Sequence, residues 1–214
     1  MNAGEHPTTD PAHDPAPASA GVDSIGAPLL EVRHLMRSYP GVVAVGDFSM
    51  TLEAGEILGL VGPNGAGKST VIKMLAGAVR PEAGEILLAG REVEISGPLS
   101  AAAQGLSFVH QELTDVPNLT VAENVLLGLR YPHVGPFVNR RAMYARAREI
   151  LTRELSVDID PAAEEGHLSV AQRRLVMIAR GLATEATVLT LDEPTASLTD
   201  EEIRHLHEVI RRVV

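Results

Sequence analysis

Cysteine is absent from all 214 residues, which excludes disulfides and thiolate-held metals. No apolar run approaches the ~20 residues that a bilayer-crossing helix requires. Positive charge is scarce: 18 Lys+Arg against 28 Asp+Glu give a formal charge of -10. With no basic stripe to offset that balance, the composition argues against a nucleic-acid partner, though not against a protein one. What is present, 45% hydrophobic residues in a chain of this length, suffices for one sizeable core with a lobe attached.

The first 28 residues hold Pro7, Pro11, Pro15 and Pro17 and no Lys or Arg. They offer neither the basic start nor the apolar stretch of a secretory signal. This segment reads as a disordered tail, with His6 and His13 solvated. Order is expected from Leu29. Strands are predicted over 29–33, 48–52, 84–90 and 187–191, helices over 121–127, 140–155 and 200–214. Early strands, a mid-chain helical block and a return to strand predict an α/β fold, a parallel core with an inserted helical lobe.

Gly62-Pro63-Asn64-Gly65-Ala66-Gly67-Lys68-Ser69-Thr70 fits G-x-x-x-x-G-K-[ST]. The apolar run Glu56–Val61 before it reads as a strand, and Val71–Leu75 after it as a helix, which is the context a phosphate-binding loop needs. Glycines let the backbone curl so that successive N–H groups converge on one anion. The helix N-terminus adds its positive end, Lys68 a charge for the β- and γ-phosphates, and Ser69 a hydroxyl for Mg²⁺. These residues imply nucleoside triphosphate binding. Asp192-Glu193 ends the buried strand over 187–191, where α/β sheets present ligand-binding groups. The pair can serve there as a Mg²⁺ ligand and as the group that orients or deprotonates water, or simply cap a helix.

Further motifs share this frame: Gln111 after a strand, Leu168-Ser169-Val170-Ala171-Gln172, and Asp192-Glu193-Pro194-Thr195 followed by Ala196-Ser197-Leu198-Thr199. Together with the loop they resemble the nucleotide-binding domain of an ABC transporter, over nearly all residues from 29 onward. The resemblance implies a P-loop NTPase fold of ABC type, with a parallel core sheet, an N-terminal antiparallel β subdomain and an inserted helical subdomain at about 112–168. Separating Gly62 from Ser169 by 107 residues leaves room for such a lobe, but not for a long coiled coil. Val109-His110-Gln111-Glu112-Leu113, Pro117 to Asn124, Tyr39-Pro40-Gly41-Val42 and Asp158-Ile159-Asp160-Pro161 are similar to the ATPase of monosaccharide importers of ribose, xylose or galactose type. Nucleoside-importer ATPases share much of this wording.

The resemblance implies roles residue by residue. ATP would lie on Gly62, Pro63, Asn64, Gly65, Ala66, Gly67, Lys68, Ser69 and Thr70, with Tyr39 stacking on adenine. Ser169, which also reads as a helix N-cap, would bond the γ-phosphate held by a second domain. Mg²⁺ would be held by Ser69, Gln111 and Asp192, and catalysis carried by Glu193, Lys68 and Gln111. The implied partners are a second ABC nucleotide-binding domain, separate transmembrane permease subunits and, indirectly, a solute-binding protein. The implied place is the cytoplasmic face of the membrane.

Two departures qualify this. Val170 and Ala171 stand where the family signature has glycines, and a Cβ at Ala171 takes space where phosphate would approach backbone. The composite site is therefore expected to be weakened. The family also continues into another core strand closed by a switch histidine. This chain reaches Val214 before either and is expected to be the front portion of a larger ATPase. A soluble ABC ATPase without a transport role, and a catalytically impaired domain, remain the alternatives.

Overall fold

The computed structural model describes residues 26–109, 114–196 and 198–214. The tail expected over 1–28 therefore lies almost wholly outside the described residues. Strands β1 (Leu30–Tyr39) and β2 (Val42–Leu52) form a long antiparallel hairpin, Tyr39 opposite Val42 and Leu30 opposite Leu52. Its register slips after Val32, and the added twist curls the hairpin. On the other side of β1 lie β3 (Ala83–Leu88) and then the short β4 (Arg91–Glu92), giving the antiparallel order β2-β1-β3-β4.

Helix α1 (Lys68–Leu75) follows the glycine-rich loop, and α2 (Pro98–Ala103) leads into β5 (Leu106–Val109). The apolar face of α1, Val71, Met74 and Leu75, shares one core with Leu30, Val32 and Ile86 of the sheet and with Leu106 and Val188. Strand β8 (Val188–Leu191) runs parallel to β5 in unbroken register, Leu106 opposite Val188 through Val109 opposite Leu191. Beneath them passes α5 (Val170–Ala183). A Cβ at Gly181 would come within 2.7 Å of Leu189 Cδ1 and 3.1 Å of Ser107 Oγ, so a side chain there would make both of those side chains shift to keep the helix this near the strands.

Between β5 and α5 stand α3 (Val121–Val125), the hairpin β6 (His133–Val134) and β7 (Phe137–Val138), and α4 (Arg140–Glu149). Their core is separate from the first: Val121, Val125, Met143, Ala147 and Leu151 pack on Leu175 and Ile178 of α5. The final helix α6 (Asp200–Val213) adds Leu206 and Val209 to it. Its Thr199 cap and Glu202 form a capping box. The two cores agree with the expected division into a β-rich part and a helical lobe.

Two expectations need correction. The run Glu56–Val61 is not a strand; it carries no ladder pairing, and Ile57, Leu58 and Val61 are 54%, 45% and 93% exposed. Its residues have strand character, but a strand exists only through a neighbour's N–H and C=O groups, and no described strand pairs with it. The described parallel sheet is accordingly just the β5–β8 pair. The helix expected over 140–155 is α-helical only to Glu149 and then opens into a π-helical turn, Ile150–Glu154. There the Thr152 hydroxyl donates to the Arg148 carbonyl at 2.7 Å, a side-chain bond that competes with the helical ladder.

A partly buried polar layer lies between the helical lobe and α5. Arg173 donates to the buried Asp115 carboxylate at 2.6–2.7 Å, and Arg180 to the Thr114 hydroxyl at 3.0 Å. Glu165 is wholly buried beside them, neither oxygen having a hydrogen bond of good geometry among the described residues. Desolvation, reinforced by the Asp115 charge, pushes its carboxyl up to about 7; Arg180, Arg173 and Asn124 pull the other way. The folded chain thus holds a proton that the unfolded chain, with a carboxyl near 4.5, has released. The resulting stabilisation is complete below that ordinary value and is lost as pH rises through about 7, to the extent of about 3 kcal/mol. Glu165→Gln, measured by urea unfolding, should therefore gain about that much on the parent between about pH 4 and about pH 8. An offset that is the same at both pH values would show that Glu165 does not titrate in this window.

Candidate nucleotide site

The loop from Gly62 to Gly67 turns on two left-handed glycines, Gly65 at φ 84 and Gly67 at φ 89. Ala66 N–H closes the turn onto the Pro63 carbonyl at 3.2 Å. At Gly67 the backbone presses against β2, where an added Cβ would sit 2.3 Å from the Ala44 carbonyl oxygen. That contact starts α1 at Lys68. Thr70 and Val71 N–H both donate to the Gly67 carbonyl at 3.0 Å. The amides of Lys68 and Ser69, at the very start of the helix, have no intrahelical carbonyl to reach. Both face the positive end of the helix dipole. The Lys68 ammonium arches back over the loop and donates to the carbonyls of Gly62 and Pro63, at 2.7 and 3.0 Å. The loop thus concentrates donors and charge at one spot, as an anion site requires. A cavity of about 250 Å³ adjoins it, lined by Val45, Asp47, Leu60, Ala66, Lys68 and others.

Asp192 continues the β5–β8 ladder by one bond, its N–H donating to Val109 O at 2.9 Å. This holds it half-buried at the carboxyl end of the parallel pair. Glu193 follows, exposed and in the left-handed region at φ 45, costly for a residue with a Cβ. Ala196 N–H, bonded to the Glu193 carbonyl at 3.2 Å, closes the turn that holds it there. Helix α1, which follows the loop, shares a core with Val188 at the start of β8, the strand whose far end carries the acidic pair. Ser69 and Asp192 are oxygen donors of the kind that suits Mg²⁺.

Tyr39 ends β1, 40% exposed, with the Arg37 guanidinium 5.1 Å from its ring centroid. Its partner Val42 opens the strand that reaches Ala44 and the loop. Ser169 is the N-cap of α5 and forms a full capping box with Gln172, each accepting from the other's backbone N–H. Val170 and Ala171 are the first residues inside that helix. Gln111 lies outside the described residues.

Sequence reasoning missed the polar layer that ties α5 to the segment after Gln111. The seven-residue spacing of Arg173 and Arg180 marks one helix face, but Asp115 lies 58 residues away from Arg173, with no local signal to link them. The strain at Glu193 was equally invisible, since nothing in Asp-Glu-Pro-Thr specifies φ.

An α/β fold whose glycine-rich turn opens a helix beside a parallel strand pair ending in Asp-Glu defines a P-loop nucleotide-binding protein. The family described as "ABC transporter" matches residues 45–196, and the chain belongs to that family. It is 48% identical over 186 residues to the ribose import ATP-binding protein RbsA 1 of Rubrobacter xylanophilus, covering 87% of this chain and 37% of that protein. It is 37% identical over 212 residues to a putative ribose/galactose/methyl galactoside import ATP-binding protein of Pseudomonas syringae pv. tomato, covering 97% and 40%. The chain therefore spans well under half the length of these curated relatives. Among solved structures, the ADP conformation of an ATP-binding cassette of an ABC transporter superposes with a TM-score of 0.75, covering 87% of this chain and 76% of that one. At 22% identity that likeness shows the fold alone.

Two comparisons test this geometry. Gly65 and Gly67 share a left-handed φ, but a Cβ at Gly65 meets nothing within 4 Å. Gly65→Ala should cost about 1 kcal/mol of stability, and Gly67→Ala a further 1–3 kcal/mol, about what overpacking costs, by thermal unfolding. Equal losses would mean that the contact with Ala44 relaxes freely. Ser169→Ala should cost about 1 kcal/mol by the same measurement while Ser169→Asp, which keeps the cap, stays near the parent.

Proposed function

We propose that the chain is the ATP-binding and ATP-hydrolysing part of an importer for a sugar or related small polar solute, working with a separate ABC permease. The observation that carries this reading is the loop pressed onto β2 at Gly67, which leaves the first amides of α1 without intrahelical carbonyls beside a Lys68 ammonium held over the loop by the Gly62 and Pro63 carbonyls. The names of the relatives supply the solute class.

In the proposed mechanism, the amides from Gly62 to Thr70 and the Lys68 charge hold the triphosphate, which binds as substrate. The Ser69 hydroxyl, the Asp192 carboxylate and Gln111 would hold Mg²⁺, which would supply positive charge to offset the negative charge of the phosphates. Glu193, beyond the sheet edge, orients and polarises water for attack. Tyr39 offers an aromatic face to adenine. Ser169 reaches the γ-phosphate on a second nucleotide-binding domain, so two domains close around each ATP. The nucleotide-binding domain spans 29–214, with its helical subdomain at about 112–168. The protein acts at the cytoplasmic face of the membrane with a permease that is a separate polypeptide, served in turn by a solute-binding protein; among the described residues no helix is long and apolar enough to cross a membrane.

One observation favours a second reading, weak activity of these 214 residues by themselves. The run over 56–61 that leads into the loop is unpaired and exposed, which leaves the loop's entry without a ladder to anchor it.

Titration calorimetry with Mg-ATP decides between binding and none. Lys68→Ala should weaken affinity by at least about tenfold, the loss of one charge-assisted phosphate contact. Glu193→Gln should leave affinity near the parent and lower turnover in the assembled transporter by about 10²–10⁴-fold. Affinity indifferent to Lys68 would remove the basis of the proposal.

A further inference from the structure

The β6–β7 hairpin carries apolar side chains away from both cores. Val134 and Phe137 face each other across it and are 66% and 76% exposed, whereas Val125 and Leu126, shortly before in the chain, are fully buried. Gly135-Pro136 closes it in two residues, with Gly135 at φ 59 supplying the reversed turn that tight hairpins use. At the other end, Asn139 N–H donates to the Pro132 carbonyl at 2.8 Å and draws the two flanks together. Arg130 on one flank and Arg140 and Arg141 on the other thus lie around the hairpin's base, roughly 10 Å or more behind Val134 and Phe137.

This region reverses the charge of the chain. Residues 129–148 contain five arginines and no acidic residue, within a chain of formal charge -10. The acidic whole-chain balance conceals this local cluster. Arg130, Arg140 and Arg141 are exposed and form no salt bridge among the described residues. Arg140 acts through space on Glu123, whose carboxylate is already held below its usual range by Thr120.

We propose that this hairpin docks on an anionic lipid surface, Phe137 and Val134 entering the headgroup–acyl boundary and the arginines at the base binding lipid phosphates. An apolar tip ahead of a collar of guanidinium groups matches that interface in depth and charge. A protein groove fits less well. Two large side chains at a narrow tip cover far less than the ~800 Å² per partner of a stable protein interface, whereas weak lipid docking needs no more than this. The inference deepens the peripheral-membrane reading above, and rests on it for where lipid would be met.

Co-sedimentation of the 214-residue chain with vesicles provides the test, comparing phosphatidylcholine alone with phosphatidylcholine carrying about one-third phosphatidylglycerol. Binding is expected only with the anionic lipid, falling as salt is raised. Each of Arg130→Gln, Arg140→Gln and Arg141→Gln should weaken it by about fivefold. Phe137→Ser with Val134→Ser should also abolish most of it. Mg-ATP affinity measured in parallel should not move with these variants, so failure of nucleotide binding and failure of lipid docking are read separately. Equal binding to both vesicles, or binding that survives all these substitutions, would overturn the proposal. Binding confined to membranes containing protein would overturn it in favour of a protein partner.

Discussion

The contact between Gly67 and the Ala44 carbonyl sets the geometry of everything around the nucleotide loop. A side chain at that position would overlap a backbone oxygen of β2, so the turn can be this tight only with glycine there. Because the turn is tight, α1 begins at Lys68, with its first amides and dipole end at the mouth of the loop. Because α1 then buries Val71, Met74 and Leu75 against the antiparallel sheet, β5 and β8, that mouth is fixed relative to the strand that delivers Asp192 and Glu193. One backbone approach thereby converts a flexible glycine-rich sequence into a directed cluster of donors.

The helical lobe is joined to this frame differently. Its own apolar core packs on α5, but the junction also contains the Arg173–Asp115 pair, Arg180 on Thr114, and the buried Glu165. Buried charges of this sort contribute little net stability, because desolvation offsets their attraction. They do fix one arrangement of α5 against the segment that follows residue 113, since sliding either element would strand a charge. The helix carrying Ser169 at its start is therefore held in register with the lobe by a polar layer rather than by apolar packing alone.

Much of this was legible in the chain. The loop residues, the capping role of Ser169, strand β8 and helix α6 follow from local chemistry: spacing, caps and apolar periodicity lie within a few residues of one another. The run over 56–61 was misread for an instructive reason. Ile57, Leu58, Leu60 and Val61 have the composition of a strand, yet a strand is a relation between two segments, and composition does not report the second. The π-helical turn after Glu149 escaped for a related reason, because Thr152 has two competing acceptors for its hydroxyl and the sequence does not rank them.

What the sequence determined by itself was the chemistry available: a phosphate-type loop with its lysine, an acidic pair after a buried strand, a capped signature helix and membership of a recognisable family. Only the tertiary structure decided which groups meet. It pressed Gly67 onto β2, brought Asp115 to Arg173 across 58 residues, forced Glu193 into the left-handed region, and gathered scattered arginines around an exposed hairpin in an acidic chain. Local patterns encode conformation through neighbours along the chain. Long-range contacts, burial and local charge arise from neighbours in space, and those exist only once the chain is folded.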